Sequence, residues 1–118
     1  MTTETPGQLL GIARDLLQVG GRPLRSARTA AAALVVRQAL ELAVDDVWRE
    51  RAPAMADVTD RAQQITLPFF VGREVGDETR WAWSRLSHLC HHTAYEMPPN
   101  AAEVEALIGV VERLADRQ

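Results

Sequence analysis

The stretch AALVVRQALELAVDDV, residues 32–47, decides the fold class of this chain. Its apolar residues recur at steps of three and four, the spacing that gathers them on one face of an α-helix. They are Ala32, Val35, Val36, Ala39, Leu40, Ala43, Val44 and Val47. The opposite face carries Arg37, Glu41, Asp45 and Arg49 at successive i+4 steps, which favours salt bridges between turns. The helix is predicted to end near Arg51, because a proline follows at position 53.

A second helix is predicted before this one. Thr5, Pro6 and Gln8 form a capping box, with proline at the first helical position. Its predicted apolar stripe consists of Leu9, Ile12, Ala13, Leu16 and Leu17. Gly20 and Gly21 are expected to end the helix, since glycine tolerates the left-handed cap.

The rest of the chain continues the helical pattern. Residues 52–57 are expected to form a loop, and a helix is predicted from about Asp57 or Thr59, interrupted at Pro68. The predicted stripe of that helix is Val58, Ala62, Ile65 and Phe69. Residues 71–77 are the least regular, and the helical pattern resumes from about Asp77 to the break at 97–99.

A last helix is predicted to begin with a capping-box-like pair, Asn100 and Glu103. Its stripe consists of Val104, Leu107, Ile108, Val111 and Ala115. No strand-like alternation competes anywhere in the sequence. We therefore predict an all-α fold, an up-and-down bundle of four to five helices forming a single domain over residues 1–118.

Composition excludes several classes of protein. The 118 residues carry 13 basic and 16 acidic side chains, and no segment forms a dense basic block, which argues against sequence-independent coating of nucleic acid. No run of 18 apolar residues exists, so no membrane partner is expected. The start, MTTETPGQ, lacks signal-peptide features, which favours a cytoplasmic location. The lone Cys90 excludes an intramolecular disulfide and a thiolate-only zinc site.

The chemistry-bearing residues are concentrated in one short segment. All three histidines and the cysteine lie within RLSHLCHHTAYE, residues 85–96. On an ideal helix, Trp81, Arg85, His88 and His92 share one stripe, whereas His91 is turned about 120° from Arg85. This segment is the candidate functional site.

The order of helices and the spacing of Arg85 to His91 and His92 resemble the HEPN superfamily. These are small four-helix domains, many of which are metal-independent endoribonucleases. Arg85 matches the family arginine, and His91 and His92, five and six residues later, both fit the family spacing. The chain departs from the family at Leu86, where Asn, Asp or His is frequent.

The resemblance implies a composite site at a homodimer interface that cleaves RNA without a cofactor or metal. Arg85 would hold the phosphate, and either His91 or His92 would act as general acid or base, a role that suits the histidine pKa. Trp81, His88 and Tyr95 are the predicted substrate-binding residues, the aromatic pair by stacking on bases. Such an enzyme fits a toxin or defence role, with an antitoxin or regulatory protein as partner.

Two other functions are compatible with the same residues. Many domains that resemble this family serve as non-catalytic dimerisation or complex-assembly modules. His88 and His92 at i and i+4 could also share a metal ion, with a third ligand from Asp, Glu or Cys90. We expect no bound metal, and rank the metal-binding bundle below the other two functions.

Overall fold

The structure is a computed structural model that describes residues 4–18, 22–90 and 99–116. About 90% of these residues are helical, and the described ranges contain no strand. The elements are α1 (Pro6–Gln18), α2 (Arg22–Arg51), a 3₁₀ helix (Pro53–Asp57), α3 (Asp60–Thr66), α4 (Pro68–Val71), α5 (Arg73–Cys90) and α6 (Ala101–Ala115). The prediction of an all-α helical bundle is confirmed.

The 30-residue α2 is the central element of the bundle. Helices α1, α5 and α6 all pack against it, and α6 also contacts α1 and α5. The buried core residues of α2 are Ala32, Ala33, Val36, Ala39, Leu40, Ala43, Val44, Val47 and Trp48. This set follows the predicted stripe closely, and the helix ends at Arg51 as predicted. On its outer face Arg37 pairs with Glu41 at 3.4 Å, whereas Arg49 pairs with Asp46 at 2.9 Å rather than with Asp45.

Helix α1 begins with the predicted capping box. The Thr5 N–H donates to Gln8 Oε1 at 2.9 Å, and the Gln8 N–H donates to Thr5 Oγ1 at 3.1 Å. The predicted stripe is corrected at one position, because Leu10 is buried and Ile12 is exposed. The predicted end at Gly20–Gly21 lies outside the described residues, as does most of the predicted break at 97–99.

The stripe predicted for the third helix does not face the core. Val58, Ile65 and Phe69 are all exposed, and α3 contains no buried residue. The core instead receives Leu67, from the joint between α3 and α4, and Phe70, whose ring meets buried Trp48 edge to face at a centroid distance of 5.3 Å. Pro68 starts α4 afresh, so the two helices place different residues against the core.

Two predicted irregular segments are largely helical. Residues 53–57 form a 3₁₀ helix rather than a loop, and α5 begins at Arg73 rather than near Asp77. Between α4 and α5 only Gly72 leaves the helical conformation, with φ of +94°, a region that L side chains rarely adopt. At Gly76 an added Cβ would lie 2.6 Å from Pro68 Cγ and 2.7 Å from Pro68 Cα. The absence of a side chain at Gly76 therefore lets α5 lie this close to Pro68.

Candidate functional site

The outer face of α5 carries the described part of the predicted site. Ala82, Leu86 and Leu89 turn inward and are buried, which leaves Trp81 and His88 exposed on the opposite side. Trp81 is 49% exposed, although it is one of the largest apolar side chains in the chain. The predicted stripe of Trp81, Arg85 and His88 is therefore present on one helix face.

Arg85 makes a two-point ion pair with Glu103 of α6. Its Nε donates to Oε2 at 2.6 Å, and its Nη2 donates to Oε1 at 3.1 Å. The side chains are 34% and 23% exposed, so the pair is partly shielded from water. Parallel hydrogen bonds of this kind fix the orientation of a guanidinium as well as its charge. Arg85 thus joins the C-terminal half of α5 to the first turn of α6.

Glu103 is also part of the N-terminal cap of α6. Asn100 Oδ1 accepts a hydrogen bond from the Glu103 N–H at 2.8 Å, as the predicted cap requires. In a full capping box the glutamate side chain would return to the Asn100 N–H. Here both carboxylate oxygens bond to Arg85 instead. Sequence reasoning assigned Glu103 only a local role and missed its contact with the predicted catalytic arginine.

Three of the predicted site residues, His91, His92 and Tyr95, lie outside the described residues. The predicted juxtaposition of Arg85 with one of these histidines therefore stays a prediction. The roles of Trp81 and His88 in substrate binding also stay predictions. Over the described ranges, no group of three or more His, Cys, Asp or Glu side chains could hold a metal ion.

A second exposed apolar surface, besides Trp81 on α5, was not predicted to be functional. We name Val58, Ile65 and Phe69, on and beside α3 and α4, the outer stripe. Phe69 is 87% exposed and Ile65 is 52% exposed. The signal was visible as an apolar residue series at helical spacing, but the sequence did not show that the series faces outward.

Comparison of the chain with protein-family models, curated proteins and solved structures found no match. Within the described ranges, no helix combines the length and apolarity needed to cross a bilayer.

Proposed function

We propose that this chain is a helical assembly module that pairs with a second copy of itself through the outer stripe. The observation that carries the proposal is the exposure of Phe69, whose ring is almost wholly open to solvent. An aromatic side chain buries roughly 150–250 Å² when it is covered, and such residues dominate interface energetics. A second copy is the partner proposed because symmetric homodimers are the commonest soluble oligomers.

The charges around the outer stripe favour a protein partner over a nucleic acid. Asp57, Asp60 and Arg61 lie near its start, and Arg73 and Glu74 follow its end. These side chains have mixed signs, and a phosphate backbone is instead recognised by a predominantly basic surface. Apolar contacts surrounded by mixed charges match the usual anatomy of a protein–protein interface.

The state of Arg85 also supports an assembly role. A phosphate that approaches its guanidinium must compete with Glu103, whose two oxygens already accept hydrogen bonds from Nε and Nη2. Displacing that carboxylate would leave a partly buried negative charge without its partner, which costs free energy. The ion pair is thus better suited to holding α5 and α6 together than to binding an anion.

Sedimentation equilibrium tests the proposal. The wild type is expected at about twice the 13.1 kDa mass of the chain, and Phe69→Asp at the mass of a monomer. Leu34→Asp is the matched control, because Leu34 on α2 is 51% exposed and lies outside the outer stripe. A monomeric wild type at high micromolar concentration would contradict the proposal. Loss of the dimer in Trp81→Asp but not in Phe69→Asp would move the interface to α5.

A metal-independent endoribonuclease is the second candidate function. The observation in its favour is that Arg85 is held in a fixed orientation one helical turn before His88, close in sequence to His91 and His92. A dimer that pairs through the Arg85 face of α5, rather than through the outer stripe, would then supply the composite site, with RNA as substrate and an antitoxin as a further partner. A permanently charged, fixed guanidinium is well suited to stabilising a phosphate in a transition state.

Cleavage assays separate the two candidates when two variants are compared. Arg85→Ala removes the guanidinium. Glu103→Gln weakens the ion pair but leaves the guanidinium of Arg85 in place. An enzyme should lose cleavage in Arg85→Ala, keep it in Glu103→Gln, act in EDTA and spare a 2′-deoxy substrate. Of His91→Ala and His92→Ala, only one should lose activity, by about 10²–10⁴-fold. Dimeric wild-type protein that leaves diverse RNAs uncut would favour the assembly module alone.

A further inference from the structure

A cleft lies between α2, the 3₁₀–α3 segment and α5, on a different side of α5 from Trp81. Its volume is about 310 Å³, within the range of pockets that hold small molecules. Arg37, Glu41 and Asp45 line it from α2, Asp60 and Gln63 from α3, and Trp83 from α5. The cleft does not involve any residue of the site predicted from the sequence.

A small cavity beside the cleft contains an unsatisfied hydroxyl. This cavity, of about 10 Å³, shares four lining residues with the cleft, Val44, Asp60, Gln63 and Trp83, and is also lined by Leu67 and Thr79. Thr79 is only 1% exposed, and its Oγ1 has no hydrogen-bond partner. Buried hydroxyls are nearly always paired, because an unmade hydrogen bond costs about 1–3 kcal/mol. The small cavity has room for about one oxygen atom of a ligand or one water.

The rim of the cleft is acidic. Three carboxylates, from Glu41, Asp45 and Asp60, face one guanidinium, and that guanidinium, from Arg37, is paired with Glu41. Partial burial raises the pKa of Asp45, Arg49 opposes this, and the like charges of Asp46 and Asp60 raise it again. The repulsion between Asp45 and Asp60 would be relieved by a cation bound between them.

The geometry points to a binding site for a small aromatic amine that carries a hydroxyl group. Its ammonium lies between Asp45 and Asp60, its ring lies against Trp83 and Val44, and its hydroxyl bonds to Thr79. An organic cation fits this rim better than a metal ion, because the described carboxylates do not form a group that could hold one. A cation beside the ring of Trp83 would gain cation–π attraction as well.

Tyramine is the probe that tests the proposal, with binding measured by isothermal titration calorimetry. Phenethylamine lacks the hydroxyl, 4-hydroxyphenylacetate replaces the ammonium by a carboxylate, and butylamine presents a lysine-like ammonium without a ring. We expect tyramine to bind most tightly, phenethylamine about three- to tenfold more weakly through loss of one hydrogen bond, and 4-hydroxyphenylacetate not at all. Butylamine that binds as well as tyramine would contradict the aromatic ligand and indicate a lysine side chain of a protein.

Variants locate the binding within the cleft. Asp45→Asn with Asp60→Asn should weaken tyramine binding at least tenfold, and Asp77→Asn, the same change on an exposed part of α5, should leave it unchanged. Thr79→Val keeps the side-chain shape and removes the hydroxyl, so it should weaken tyramine and leave phenethylamine unaffected. All these variants should unfold at temperatures close to that of the wild type.

Three further results would overturn the proposal. The first is no heat of binding with tyramine or phenethylamine up to millimolar concentration. The second is an equal loss of affinity in Asp77→Asn and in the double variant. The third is a Thr79→Val effect that is the same for tyramine and phenethylamine, since the hydroxyl would then not contact Thr79.

Discussion

Helices α3 and α6 begin in the same way and end up in opposite environments. Each has a polar N-cap whose side chain accepts a hydrogen bond from the third helical residue, Thr59 for α3 and Asn100 for α6. Each is followed by apolar residues at helical spacing. Helix α6 buries its apolar face in the core, whereas that of α3 faces solvent. Helical periodicity therefore specifies that a face exists but not what covers it.

The difference follows from what holds each helix. Helix α6 has 15 residues, and three ion pairs among the described residues tie it to its neighbours. They are Arg14–Glu112, Arg85–Glu103 and Arg113–Glu78. Helix α3 has seven residues, and its anchor is the Gln63 side chain, which donates to the Met55 carbonyl at 2.7 Å. A polar anchor on the inner side leaves the apolar side chains of α3 on the outer one.

The largest expected effect comes from the same substitution in the two helices. Ile108→Ala in α6 removes a fully buried side chain and should lower the free energy of unfolding by about 2–5 kcal/mol. Ile65→Ala in α3 should change it by about 1 kcal/mol or less, because about half of this residue is already exposed to water. Urea denaturation, at a protein concentration low enough for the proposed dimer to dissociate, measures both free energies of unfolding. Equal losses would mean that the outer stripe is packed.

The close contact between α4 and α5 is tested next. Gly76→Ala forces a methyl group against the backbone of Pro68 and should cost about 1–3 kcal/mol through overpacking. Gly11→Ala in α1 is the control, because nothing lies within 4 Å of its added Cβ. It should stabilise the helix by about 0.5–1 kcal/mol. Thermal unfolding should shift in opposite directions, and parallel shifts would contradict the close contact.

The ion pair between Arg85 and Glu103, which holds α6 to α5, is expected to contribute a smaller free energy. A double-mutant cycle on Arg85→Ala and Glu103→Ala should give a coupling of about 1 kcal/mol, reduced at high salt. The same cycle on the exposed pair Arg49 and Asp46 should give about 0–0.5 kcal/mol. A coupling at Arg85 no larger than at Arg49 would show that the two-point geometry adds no stability.

The smallest expected effect is on the stability of the protein at low pH. A hydrogen bond from Arg14 lowers the pKa of Glu112, so this pair stabilises the fold above the ordinary glutamate pKa. The stabilisation is lost as the pH falls through the lowered value. The free energy of unfolding of the wild type should exceed that of Glu112→Gln by about 0.5 kcal/mol at pH 7. The difference should shrink as the pH falls below the ordinary glutamate pKa and vanish below the lowered one. A difference that persists at pH 2 would assign the effect to packing rather than charge.

The sequence predicted the parts of the fold that depend on local chemistry. The capping box at Thr5 and Gln8, the end of α2 before Pro53 and most of the inward face of α6 follow from neighbours in the chain. The stripe predicted for α6 is corrected at its end, where Leu114 is buried and Ala115 is only partly buried. The contact between Arg85 and Glu103 joins residues 18 positions apart, and no local rule makes that carboxylate leave its own cap. The outward direction of Ile65 and Phe69 depends on Leu67 and Phe70 filling the core first, which is a property of the assembled bundle.

The three tryptophans lie at three depths, which gives the protein a built-in set of optical reporters. Trp48 is fully buried, Trp83 is partly buried at the cleft and Trp81 is exposed on α5. Iodide should quench Trp81 emission first, and the blue-shifted emission of Trp48 should change only on unfolding. Single-tryptophan variants, with phenylalanine at the other two positions, would therefore report separately on unfolding, on cleft occupancy and on contacts of α5.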